Sequence, residues 1–159
     1  MSSKFFDFNL PDGSLPEDII LIDSGSSNKV SDFEVQGNKL VATELANAAT
    51  FGAGAGYDTG SMHGVVKGTF YLNGHGAVAL AFRMLRVYQC IQINLLSTGE
   101  LKAVRKTSDG DIDLTSGYTI PNFDADQGWE IEAHMRGPNI EVFVEGQPAF
   151  NFVEDSGYS

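Results

Sequence analysis

Two runs of acidic residues in this chain have types and spacing that could do chemistry. Glu130, Glu132 and His134 alternate along WEIEAHMR. On a strand, i, i+2 spacing sets two carboxylates at roughly the 5 Å that a nucleophile and a general acid need for retaining glycoside hydrolysis. The third alternate position is a histidine rather than an acid, and the intervening residues read as core, so a solvated strand face explains the pattern better than a catalytic pair. Asp109, Asp111 and Asp113 also alternate, which is how a calcium loop presents its oxygen ligands. Where an EF-hand loop wants Gly and then a bidentate Glu, this chain has Leu114 and Ile120. The three aspartates therefore stand as weak metal candidates in what reads as an ordinary acidic turn, and no metal or other cofactor is expected.

The remaining reactive residues form no motif. His63, His75 and His134 are isolated and far apart. The Gly-rich run TFGAGAGYDTGSMHG lacks the Gly-Lys-[Ser/Thr] ending of a phosphate loop, and no Ser, His and Asp arrangement can be assembled. Cys90 is the sole cysteine and lies inside an apolar strand pattern, which excludes an intrachain disulfide and suits a buried thiol. The expectation is a protein without catalysis.

Short strands must position all of these residues. In GWEIEAHMRGPNIEVFVEGQPAFNFVE, Trp129, Ile131, Ala133 and Met135 share one face, then Ile140, Val142 and Val144, with Gly137 and Gly146 at the reversals. FEVQGNKLVATE reads as a hairpin turning at Gly37-Asn38. EDIILID, VVKGTFYL, AVALAFRM, VYQCIQINLL, ELKAVRK and DIDLTSG follow the same style, with a bend around Leu85-Arg86. The Gly-rich run between the early hairpin and VVKGTFYL is expected as an irregular, mobile or closely approached loop. About eleven or twelve strands with no helix of consequence predict two packed antiparallel sheets. At 159 residues, a single domain over positions 1–159 is expected.

Two faces separate in the middle strands. Val78, Leu80, Phe82, Met84, Ile91 and Ile93 read as core, leaving Ala77, Ala79, Ala81, Arg83, Tyr88, Cys90, Gln92 and Asn94 on a small, mildly polar face. That second face suits a shallow groove for a ligand, the floor beneath a covering loop, or a platform for another subunit.

From AVALAFRM through DIDLTSG, and again in GWEIEAHMRGPNIEVFVEGQPAF, the chain resembles the concanavalin A-like lectin/glucanase superfamily, particularly its laminin G-like jelly rolls. The match lies in the order of pieces: a strand ending in Phe82-Arg83, turns at Gly99 and Asp109-Gly110, the Trp129 strand and the hairpin at Glu145-Gly146. The resemblance implies an all-β, antiparallel two-sheet jelly-roll sandwich that binds glycans, hydrolyses them or holds surfaces together. The three alternating acids of the superfamily's glucanases have no good counterpart here.

Three functional classes then remain, of which an enzyme would need an acid pair that the sequence does not supply. A glycan-binding module needs exposed aromatics beside hydrogen-bonding side chains, and Tyr57, Asp58, Arg83, Tyr88, Gln92 and Asn94 are the candidates. A structural module needs only a complementary surface on neighbouring subunits, and a homo-oligomer is the expected form. The net charge of −11 excludes a nucleic-acid partner, and neither a basic-apolar secretory start nor a run long enough to span a membrane is present in the sequence. A free-standing jelly roll beginning at Met1 resembles bacteriophage decoration, fibre or tail components, so a virion protein made in a host cytoplasm is the first expectation and a soluble cytoplasmic lectin domain the second. The chain stops soon after its last hairpin, and the edge beside KFFDFNL is expected to be covered by the chain's own terminus or by a neighbour.

Overall fold

The computed structural model describes residues 9–15, 20–23, 32–37, 39–44, 53–56, 63–86 and 89–154, and every element among them is a strand. The chain divides into two compact units, Met1–Thr59 and Gly60–Ser159.

In the first unit, β1 (Ile20–Asp23) pairs antiparallel with β4 (Ala53–Gly56), and β2 (Asp32–Gln36) pairs with β3 (Lys39–Glu44). The hairpin expected from FEVQGNKLVATE is present. Gly37 reverses the chain at φ 55°, and its N–H donates to Asp12 Oδ1 at 2.9 Å. Within the Gly-rich run, Ala53–Gly56 forms a regular ladder from Ile20↔Gly56 to Asp23↔Ala53 rather than an irregular loop, while positions 50–52 and 57–62 lie outside the described residues. Ladder bonds join main-chain groups, so a strand of Ala and Gly can complete a pair whose other member is read as apolar.

The second unit holds two sheets. One is ordered β10 (Tyr118–Thr119), β8 (Glu100–Thr107), β7 (Gln89–Leu96), β6 (Ala77–Arg86), with β9 (Gly110–Asp113) also paired to β8. The other is ordered β13 (Gln147–Val153), β12 (Asn139–Val144), β11 (Trp129–Arg136), β5 (Gly64–Phe70). Every pairing is antiparallel. Alternate side chains of both sheets meet in one core. Leu80, Phe82, Ile91, Ile93, Leu95, Leu101 and Ala103 come from the first sheet, and Ile131, Ala133, Met135, Ile140, Val142, Val144 and Phe152 from the second. This is an all-β antiparallel sandwich, and the period-two reading of β11 and β12 is reproduced residue by residue. Leu85 and Arg86, where the bend is expected, belong to β6, and Arg86 pairs with Gln89 of β7.

Candidate functional site

The outer face of the four-stranded sheet presents two rows of side chains that cross all its strands. Val65, His134, Glu141 and Asn151 stand opposite one another in β5, β11, β12 and β13, and Lys67, Glu132, Phe143 and Pro148 form the next row. Neighbouring strands lie about 4.8 Å apart, so each row spans roughly 14 Å.

Charge and aromaticity alternate along these rows. Lys67 Nζ lies 2.7 Å from Glu130 Oε1 and 3.8 Å from Glu132 Oε2. The hydrogen bond from Lys67 to Glu130 pushes the ammonium above its ordinary pKa. His134 Nε2 pairs with Glu132 Oε1, and the His134 ring leans on Phe143 with centroids 4.7 Å apart and planes tilted by 40°. Glu130 and Glu132, the pair whose spacing suits hydrolysis, thus share a lysine on a half-exposed charged surface rather than entering the apolar pocket that makes a general acid.

Beyond Phe143 the ladder slips. Val142 faces Phe150 while Phe143 faces Pro148, which leaves Ala149 as the extra residue of a β-bulge. A cavity of about 250 Å³ lies at this bulge, lined by Glu141, Phe143, Pro148, Ala149, Phe150 and Asn151 among others. An aromatic ring and a proline ring beside a carboxylate and an amide can receive the C–H face and the hydroxyls of a sugar.

Other candidates are placed elsewhere. Gln92 faces Ala81 and Val104, and Asn94 faces Ala79 and Lys102, so these two amides do share the small outer face of the five-stranded sheet. Arg83 does not join them. It sits in a bulge at φ 50°, its guanidinium donates to the Gly137 carbonyl in the β11–β12 turn, and burial pulls its pKa below the ordinary value, opposed in part by Glu154. Tyr57, Asp58 and Tyr88 lie outside the described residues. Of the aspartates, Asp111 pairs with Lys106 and Asp113 with Lys102, each at 2.6 Å, while Asp109 accepts from Ser108 Oγ at 3.3 Å within the turn. Two of the three thus answer lysines rather than converging on a shared point. Among the described residues no group of three or more His, Cys, Asp or Glu side chains could hold a metal ion.

Phe143, absent from the sequence candidates, carries a signal in the sequence. In NIEVFV, Ile140, Val142 and Val144 fill the core phase, so Phe143 shares its phase with Glu141 and must face outward. A large aromatic on the polar phase is the signal. The bulge that opens the cavity beside it has no sequence mark beyond Pro148.

No protein-family model and no curated protein matches the chain. Among the described residues no helix is long and apolar enough to cross a membrane. Among solved structures the chain is similar to a carbohydrate binding module, CBM66, from Bacillus subtilis, with a TM-score of 0.54 and 14% sequence identity. The match covers 60% of this chain and 61% of that one, so it spans less than two thirds of either. At that identity the likeness speaks for the fold alone, and it agrees with the expected antiparallel jelly-roll sandwich.

Proposed function

We propose that this protein is a non-catalytic carbohydrate-binding module whose site is the outer face of the four-stranded sheet. The observation that carries this reading is the cavity at the Ala149 bulge, where Phe143 stands beside Glu141 and Asn151. It is supported by a fold shared with a protein described as a carbohydrate binding module, and by the lysine shared between Glu130 and Glu132, which suits a recognition surface better than an acid–nucleophile pair. A virion role draws no support from that likeness.

Screening the protein on a glycan array is the direct test. Saturable binding is expected, and Phe143→Ala is expected to weaken it by about tenfold, the loss of one aromatic stacking contact of about 1.5 kcal/mol. Phe143→Trp keeps a ring and is expected to keep binding. Loss of binding in Gln92→Ala or Asn94→Ala, with Phe143→Ala unaffected, would move the site to the five-stranded sheet.

Self-association is a second reading with its own observation. Among the described residues β13 pairs only with β12, and its outward Val153 is 61% exposed. Sheet edges of this kind pair readily with a second chain. Light scattering is expected to show a dimer or larger species that Val153→Lys shifts toward monomer, and a strict monomer at high concentration would remove this reading.

A further inference from the structure

Building on that reading of the same face, we infer that the cavity at the Ala149 bulge takes one uncharged sugar ring and turns away anionic glycans. Its volume of about 250 Å³ falls below the roughly 300–1,000 Å³ of pockets that enclose a drug-sized ligand. One ring fits, and the rest of a glycan chain lies across β12 and β11. The apolar face of the ring meets Phe143 and Pro148, while its hydroxyls meet the Glu141 carboxylate, which accepts, and the Asn151 amide, which both donates and accepts.

The charge class follows from what faces that ring. Glu141 lines the cavity, and Glu130 and Glu132 project from the neighbouring strand. Lys67 is already ion-paired with both of those, and His134 Nε2 is hydrogen-bonded to Glu132. A uronate or sulfate seated on Phe143 would therefore meet the Glu141 carboxylate at close range with Lys67 engaged elsewhere, while Arg136, the other cation among the described residues of this face, stands opposite Asn139 rather than Phe143. The chain's net charge of −11 adds a repulsion that reaches further as salt falls. A neutral ring meets neither cost.

Calorimetric titration of the full chain tests this, with neutral polysaccharides spanning glucans, mannans, xylans, galactans and fructans on one side and polygalacturonate and heparin on the other. At least one neutral polymer is expected to bind with little salt dependence, while both polyanions bind at least about tenfold more weakly at low ionic strength. Glu141→Gln and Glu141→Lys are both expected to narrow that gap, the lysine more than the amide. Glu141 is exposed, so thermal unfolding of both variants should match the parent. A polyanion bound as tightly as the neutral polymer overturns the inference and leaves glycan binding standing. Selectivity unchanged in Glu141→Lys also overturns it, and saturable binding to no polymer at all removes both this inference and the function on which it rests.

Discussion

Glu154→Ala is expected to destabilise the sandwich by about 3–5 kcal/mol, the usual consequence of removing one partner of a buried ion pair. Glu154 follows β13, and its side chain is 1% exposed. Arg105, from β8 of the opposite sheet, grips it through Nε at 2.9 Å and Nη2 at 2.8 Å. The Glu154 N–H also donates to Pro138 O at 2.8 Å, so both main chain and side chain fix the end of β13. Alanine leaves a half-buried guanidinium without its carboxylate, and that desolvated charge is the source of the loss. For a unit of this size the midpoint of thermal unfolding should fall by at least about 12 °C. A double-mutant cycle separates the pair from the packing. Arg105→Met with Glu154→Met should recover much of the loss, because two apolar side chains bury no charge. A Glu154→Ala midpoint within about 2 °C of the parent would show that the pair contributes nothing.

Gly99→Ala is expected to be the next most damaging change, at about 2–4 kcal/mol. Gly99 turns the chain between β7 and β8 at φ 82°, a left-handed conformation that costs any residue with a Cβ about 1–2 kcal/mol. Space is the second obstacle. A Cβ there would lie 2.6 Å from Phe123 Cγ and 2.7 Å from Phe123 Cβ. Phe123 cannot simply withdraw, because it stacks on Trp129 with centroids 5.3 Å apart, and Trp129 Nε1 donates to Asp124 O at 2.8 Å. The Ile120 N–H further ties this loop to Gly99 O at 2.9 Å. Gly146→Ala is the control, since Gly146 has φ 72° but nothing within 4 Å of an added Cβ, and it should show the conformational part alone. Trp129 is the only tryptophan, so its fluorescence reports the displaced loop directly. Equal losses at Gly99 and Gly146 would remove the steric half of the argument.

Much of the fold could be read from alternation. The core face of β11, the hairpins at Gly37, Gly137 and Gly146, and the two-sheet arrangement all follow from period-two patterning and turn residues. Less visible were features made by pairing between distant segments. The Ala53–Gly56 strand carries no apolar pattern and exists through its main-chain ladder with Ile20–Asp23. Arg83 looked like a member of the outer face because alternation assumes a regular strand, and the bulge at φ 50° breaks that phase. The same limit hid the candidate site. Phe143 was marked by its phase, but its neighbours Pro148 and Asn151 reach it through a ladder slip at Ala149 that only the folded register reveals. Glu154 was likewise silent, since a carboxylate beyond the last strand reads as surface until Arg105 is found against it.

Sugar binding at Phe143 on the outer face of the four-stranded sheet is tested most directly by mapping amide chemical-shift changes as a neutral glycan is titrated in. Saturable changes are expected, centred on Glu141, Phe143 and Asn151 and extending to His134, with the Gln92 and Asn94 amides unmoved. Changes centred on Gln92 and Asn94, with Phe143 and its neighbours silent, would contradict it.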